Sequence, residues 1–466
     1  MDAEDNGPVE FGINYGEGLT LTEKLLKSIG QQSFLRFWSH VNPHVGPTQE
    51  LCDLLVVCGD IVILFSDKSA DFNFKIETAT AWGRWYRTAI KESVNQLNGA
   101  SRHIDPLHSP IYKDQACQVP LGVPIPPPDR LQLYRVAVVS LSSEVNEEQS
   151  PVPFLRLDSG IRGGQHLEGS ATPFTVGDVS PDKKFVHVMD FAGLWAVLSD
   201  LDTITDFAKY LDARGVFIRD TKANVADSEW CMLARYLFSF DDDGTPLALD
   251  REVPGDTHLT DPEWQSDEAS EAFRLRREAN RQSYLWDGLI ENQAGLVESQ
   301  GFSYSTFTEI PDAERVVRYM ALETRLTRRL LSRAWKEACS INVPGQPANT
   351  RTVPHGDTDG TTYVFFNLRH PELMEYEEYR QMRREMLKCL MLASLVDEPE
   401  SQIIIGVASE YGQVPDSYDL AHFNVSEDAN HETLQADALD SWNWKRQHFH
   451  DPIVSITDER DIPYAT

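Results

Sequence analysis

The densest hydrophobic pattern of the chain lies between Glu50 and Lys68. Two apolar runs rich in β-branched residues, 54–58 and 61–65, flank the dipeptide Gly59-Asp60. A glycine at the first central position suits a two-residue hairpin turn. The pattern therefore predicts a β-hairpin with these pairs: Cys58 with Ile61, Val56 with Ile63, Leu54 with Phe65 and Asp53 with Ser66.

Charged residues stand at the open end of this hairpin, where the apolar pattern predicts burial. Because side chains alternate between the faces of a strand, Asp53, Ser66 and Lys68 are expected on one face and Asp67 on the other. An aspartate and a lysine thus meet at one end of an apolar hairpin. Charges at such positions usually have a function in binding or catalysis.

The arrangement resembles the core of the PD-(D/E)xK nuclease superfamily. There, an Asp on one strand and an acid-x-Lys on the next bind magnesium and activate water against a phosphodiester. Asp53 matches the first acid and Lys68 the lysine. Several branches also carry a Gln on the helix after the lysine strand, as Gln96 does in the predicted helix 82–104. A Glu of the first helix joins the metal site in related nucleases, which makes Glu23 a candidate, although Thr20-x-x-Glu23 is also a capping box.

One residue departs from the superfamily pattern. Ser66 occupies the place of the second acid, and the nearest carboxylate, Asp67, follows one residue later. A β-bulge could turn Asp67 inward, the acid could come from elsewhere in the chain, or the site is catalytically degenerate. The resemblance implies a Mg²⁺ or Mn²⁺ ion held by Asp53 and Asp67.

Later segments alternate between strand and helix patterns, which is typical of an α/β fold. The expected fold is a restriction-endonuclease-like mixed-sheet sandwich, followed by a mainly helical region and a smaller α/β C-terminal unit. The corresponding domains are 1–220, 221–345 and 346–466. Residues 142–183 are expected to form an inserted loop region, and 340–361 a linker.

The predicted helix 312–339 is the most basic part of the chain. Four of its cations form one stripe at helical spacing: Arg318, Arg325, Arg329 and Lys336. The stripe is interpreted either as a patch for the DNA backbone or as a set of salt bridges to the acid-rich neighbouring segments. A second, smaller basic group on helix 82–104, Arg84, Arg87 and Lys91, could also reach phosphate, although such a face is more often merely solvated.

Composition limits these interpretations. The 466 residues include 42 Lys and Arg against 73 Asp and Glu, a formal net charge of −31. No general basic surface exists, so DNA binding must depend on local patches and on metal. The six cysteines form no Cys-x-x-Cys pair, which favours reduced thiols in a cytoplasmic protein. No apolar run reaches the roughly 20 residues that span a bilayer.

Other chemistries lack their motifs. The chain has no Walker A sequence, no Gly-x-Gly-x-x-Gly after a strand, no Gly-x-Ser-x-Gly elbow and no zinc-type cluster. The resemblance therefore implies a metal-dependent DNA endonuclease, as in restriction or phage defence, controlled by a partner such as an ATPase or helicase or by homo-oligomerisation. The alternative is a degenerate nuclease-like scaffold that binds a protein or nucleic acid, with Asp53 and Lys68 as a buried ion pair.

Overall fold

The structure, a computed structural model, contains helices and mixed β-sheets and belongs to the α/β class. It describes residues 21–104, 110–141, 155–169, 172–219, 223–238, 257–260, 267–298, 310–340, 348–354, 360–411, 417–425 and 431–449. The chain forms two compact units. The first consists of Met1–Leu198, Arg214–Leu233 and Leu249–Thr260, and the second of Ser199–Ala213, Ala234–Ala248 and Asp261–Thr466. Within the described residues, no helix is long and apolar enough to cross a membrane.

Helices and strands alternate through the first half of the chain. In order, they are α1 (Leu21–Phe34), β1 (Ser39–Val41), β2 (His44–Gly46), β3 (Gln49–Glu50), β4 (Leu54–Cys58), β5 (Ile61–Ala70), α2 (Thr78–Trp85), a π-helical segment (Tyr86–Lys91), α3 (Glu92–Ile104), β6 (Gln132–Leu141), β7 (Arg156–Arg162), β8 (Thr175–Asp178), β9 (His187–Asp190), α4 (Phe191–Asp200), α5 (Ile204–Arg219), β10 (Val225–Ala226), α6 (Glu229–Phe238) and β11 (His258–Leu259).

Helices dominate the next part of the chain, and strands return after it. The elements are α7 (Asp267–Asn280), α8 (Tyr284–Glu298), α9 (Ile310–Leu322), α10 (Arg325–Ser340), β12 (Ala348–Val353), β13 (Thr361–Leu368), α11 (Tyr376–Asp397), β14 (Ile403–Glu410), β15 (Tyr418–Asn424) and α12 (His431–His448).

The main sheet of the first unit has the strand order β1-β4-β5-β6-β9. Strand β4 is antiparallel to β5, whereas β5, β6 and β9 run parallel. Phe65 contacts Phe34 of α1 with a ring distance of 5.9 Å, and the next residue, Ser66, contacts Ser93 of α3. Since neighbouring residues of a strand face opposite sides, the sheet has a helix on each face. Burial on both faces explains why β4 and most of β5 are apolar without alternation.

The predicted hairpin is confirmed. Cys58 pairs with Ile61, Val56 with Ile63 and Leu54 with Phe65 across the turn. Gly59 adopts a φ of +60°, a conformation that glycine reaches without the steric cost of a Cβ atom.

A second sheet of the first unit has the order β11-β10-β7-β8. Its strands β7 and β8 lie within 142–183, so the loop prediction for that whole region is wrong. The error has a local cause. Strands β7 and β8 pair with a register shift between Leu157 and Arg162, and the glycines that accommodate the irregular backbone also read as loop residues.

The second unit is built on the sheet β12-β13-β14-β15, in which only β13 and β14 run parallel to each other. Trp286 of α8 contacts the rings of Tyr363 and Phe365 at 5.4 and 6.0 Å, and Trp335 of α10 donates to Ser409 Oγ at 3.5 Å. The helical region and the C-terminal strands therefore share one core, instead of forming the two separate domains expected from sequence. The predicted linker 340–361 likewise contains the edge strand β12.

Candidate functional site

Asp53 lies directly before β4 and closes the open end of the hairpin. Its Oδ2 accepts the backbone N–H of Asp67 at 2.6 Å, and its own N–H donates to the carbonyl of Phe65 at 3.0 Å. Asp53 thus continues the hydrogen bonding between the two strands beyond their last pair, Leu54 and Phe65. Hydrogen bonds to an ionised acceptor are short and strong, so this contact fixes the Asp53 side chain beside β5.

Ser66 faces helix α3. The serine is fully buried, and its Oγ donates to Gln96 Oε1 at 3.1 Å and contacts Ser93 Oγ at 3.3 Å. The structure therefore brings the predicted Gln96 to the strand that carries the lysine. Ser93 was not predicted, although it lies three residues before Gln96 and a spacing of three places residues on the same helix face.

Asp67 and Lys68 lie on opposite faces of β5. This strand pairs with β6 from Ile61 to Ala70 without a shift of register, so the bulge that would turn Asp67 inward is not formed. Asp67 is 7% exposed and shares the face of Phe65, whereas the half-buried Lys68 shares the face of Ser66. The Asp67 backbone, rather than its carboxylate, makes the contact with Asp53.

The metal donors at this end of the hairpin are few. The described residues contain no group of three or more His, Cys, Asp or Glu side chains that could hold a metal ion. Glu23 lies in the first turn of α1, but its side chain is outside the described residues. Mg²⁺ in phosphoryl-transfer sites is commonly held by one or two carboxylates together with water and substrate phosphates. Asp53 meets the lower limit of that donor set.

The predicted basic stripe does not form an exposed surface. A single helix was expected over 312–339. The structure has two helices instead, because α9 ends at Leu322 and α10 begins at Arg325. Arg325 and Arg329 are 0% and 1% exposed, so they cannot reach a DNA backbone. Arg318 contacts Glu314 at 3.5 Å, and only Lys336 is exposed.

The alternative interpretation as salt bridges is confirmed for Arg325. Its Nε donates to Asp202 Oδ1 at 2.8 Å and its NH1 to Asp287 Oδ2 at 2.7 Å. Arg328 donates to the other oxygen of Asp287 at 2.7 Å. This part of the helix therefore holds the second unit together, and the candidate for nucleic-acid chemistry remains the end of the β4–β5 hairpin.

Comparison of the chain with protein-family models, with curated proteins and with solved structures finds no match.

Proposed function

We propose that the open end of the β4–β5 hairpin is the active site of a nuclease that hydrolyses DNA phosphodiesters with Mg²⁺ or Mn²⁺. The observation that carries the proposal is a pair of hydrogen bonds, from Asp67 N–H to Asp53 and from Ser66 to Gln96. They gather the matched acid, the strand of Lys68 and the helix glutamine at one place.

The order of elements supports the same proposal. Helix α1 comes first, the strand after Asp53 second, the strand of Lys68 third and the helix of Gln96 fourth. This is the order that the resemblance to PD-(D/E)xK nucleases implies. The mixed sheet, with a helix on each face, is compatible with a restriction-endonuclease-like sandwich.

Asp53 would hold the metal ion together with oxygens of the substrate phosphate, because carboxylate oxygens are ligands that Mg²⁺ prefers. When bound, such an ion lowers the pKa of a coordinated water and polarises the phosphoryl oxygen. Lys68 would stabilise the negative charge that develops on the phosphate. Since Gln96 Oε1 accepts from Ser66, its amide NH₂ is the group that can donate to a water or to the phosphate.

A second candidate function is that of a non-catalytic scaffold. Ser66, which stands where the second acid is expected, forms a hydrogen bond with Gln96, and the Asp53 carboxylate accepts a backbone N–H. Both hydrogen bonds could serve a purely structural role. Lys68 is half-buried and shares the face of Ser66, which leaves it available to a phosphate at the end of the hairpin. That position favours the catalytic proposal.

Cleavage of plasmid and single-stranded DNA with Mg²⁺ or Mn²⁺ tests the proposal. Asp53→Asn and Lys68→Met are each expected to reduce the rate by about 10²-fold or more, the usual loss when one charge-stabilising group of an active site is removed. Asp182→Asn and Lys183→Met are matched controls, because both residues are exposed and lie away from the hairpin in sequence. These controls are expected to cut at the wild-type rate.

Two results would contradict the nuclease. One is equal cutting by the wild type and both hairpin variants, which would indicate a contaminating activity. The other is the absence of cutting by a wild type whose circular dichroism shows a folded protein. The second result would favour the scaffold, and a search for bound partners such as an ATPase or helicase would follow.

A further inference from the structure

Three exposed cations line the helix that carries Gln96. Helix α2, the π-helical segment and α3 continue one another from Thr78 to Ile104, and Arg84, Arg87 and Lys91 are exposed along them. We call these three residues the basic row. Arg87 donates to the carbonyl of Gly83 at 3.0 Å, but no ion pair to a described carboxylate is formed by any member of the row.

The basic row stands out against the acidic composition of the chain. Acidic residues outnumber basic ones by 73 to 42, and buried arginines such as Arg214 and Arg325 are held by carboxylates. Exposed cations without acidic neighbours keep a local positive potential that attracts phosphate. The basic row is therefore a local cationic patch to which a polyanion can be attracted.

The row lies close to the proposed active site along the helix axis. Gln96 and Ser93 of the same helix contact Ser66, and a rise of about 1.5 Å per residue places the row within about 18 Å of Gln96. Arg87 and Lys91 belong to the π-helical segment. Such segments are rare and are frequently found at functional sites.

An exposed aromatic ring is connected to the same helix through a series of ring contacts. Phe74 is 52% exposed and comes four residues after the end of β5. Its ring lies 4.8 Å from that of Phe72, which contacts Phe174 at 4.9 Å. Phe174 in turn contacts Trp82 of α2 at 5.4 Å. A half-exposed ring that is held by neighbouring aromatic side chains is suited to stacking with a nucleic-acid base.

We propose that single-stranded DNA binds along this surface, with its phosphates on the basic row and a base stacked on Phe74, and that it reaches Lys68 from there. The proposal rests on the proposed function and names the form of its substrate. Single-stranded DNA fits better than duplex DNA because the bases of a duplex are stacked on each other and present no free face to a side chain. The charge complementarity would serve either form.

Binding is measured by the fluorescence anisotropy of a labelled oligothymidine in EDTA, so that no cleavage occurs. The triple variant Arg84→Ala, Arg87→Ala and Lys91→Ala is expected to bind about tenfold or more weakly at low salt. Its plot of log affinity against log salt concentration is expected to be shallower by about 2, at about 0.7 for each lost contact with a single-strand phosphate.

A matched triple variant, Arg130→Ala, Lys183→Ala and Lys184→Ala, removes the same charge from exposed positions of the first unit and is expected to bind like the wild type. Phe74→Ala is expected to weaken single-strand binding about tenfold and to leave duplex binding unchanged. Equal losses in both triple variants, no binding by the wild type, or preference for duplex DNA would overturn the proposal. Binding without cleavage in Mg²⁺ would instead refute only the nuclease.

Discussion

Replacing Asp287 by Ala is expected to lower the free energy of unfolding by about 3–5 kcal/mol. The two carboxylate oxygens of Asp287 accept hydrogen bonds from Arg325 and Arg328, each at 2.7 Å. Both guanidinium groups are buried. Without Asp287, Arg328 loses its ion pair, and Asp202 is the one carboxylate among the described residues that still pairs with Arg325. The cost arises from leaving buried charge uncompensated, rather than from the net contribution of the pairs.

The same contacts predict a dependence of stability on pH. Burial alone would raise the pKa of Asp287, but the charges of Arg325 and Arg328 outweigh it and lower the pKa below its ordinary value. Since the unfolded value is about 3.9, the stabilisation is fully present above that pH. It is lost as the pH falls through the lower, folded pKa. Wild-type stability is therefore expected to decline below about pH 4, and Asp287→Ala to decline less.

Urea unfolding at neutral pH measures the effect. The control Asp182→Ala removes an exposed carboxylate and is expected to change the free energy by no more than about 0.5 kcal/mol. The variant that combines Asp287→Leu and Arg328→Leu removes this buried pair together and leaves Arg325 paired with Asp202, so it is expected to recover most of the loss. An Asp287→Ala protein as stable as the wild type would refute the assignment of these arginines to the core.

The hairpin could be predicted in register because its determinants are local. A glycine at the turn sets which residues pair, and the pairing then decides which side chains share a face. The positions of Ser66 and Lys68 on one face and Asp67 on the other followed from the same rule, and the regular pairing of β5 with β6 agrees with it. Gln96 was placed beside this strand only by the resemblance.

The burial of Arg325 and Arg329 could not be predicted in this way. Helical spacing shows which residues share a face but not what covers that face. The partners of Arg325 are distant in sequence, with Asp287 at a separation of 38 residues and Asp202 at 123. In contrast, the face with Arg84, Arg87 and Lys91 is exposed, although its sequence spacing is no more distinctive. Tertiary contacts, rather than residue type, decided which basic helix face became available to a ligand.

The serine at position 66 connects the site with its proposed substrate. A carboxylate there would have added a second metal ligand on the face of Lys68, whereas the serine instead anchors α3 through Gln96. The basic row extends from the same helix. The interaction that replaces the second acid therefore also fixes the position of the surface that is proposed to guide DNA. In the proposed nuclease, a metal ion held by one described carboxylate would depend more heavily on phosphate oxygens as ligands.

Gly177→Ala is expected to destabilise the first unit by about 3 kcal/mol, near the upper end of the usual cost of overpacking. A Cβ atom at this position would lie 2.1 Å from the carbonyl oxygen of Ile161 and 2.3 Å from that of Asp158. Both are backbone atoms in the irregular part of β7, so they cannot move aside as a flexible side chain would. The glycine N–H also donates to His166 Nε2 at 3.0 Å.

The damage is expected to extend to the helix of the basic row. His166 accepts a hydrogen bond from Trp82 through its carbonyl at 3.1 Å and stacks on Tyr86 at 5.1 Å. Thermal or urea unfolding measures the loss, with Gly99→Ala as the control. A Cβ at Gly99 meets no atom within 4 Å, and alanine is favoured over glycine within a helix by about 0.5–1 kcal/mol. The two Gly→Ala changes should therefore have opposite signs, and a Gly177→Ala protein as stable as Gly99→Ala would show that β7 does not approach β8 this closely.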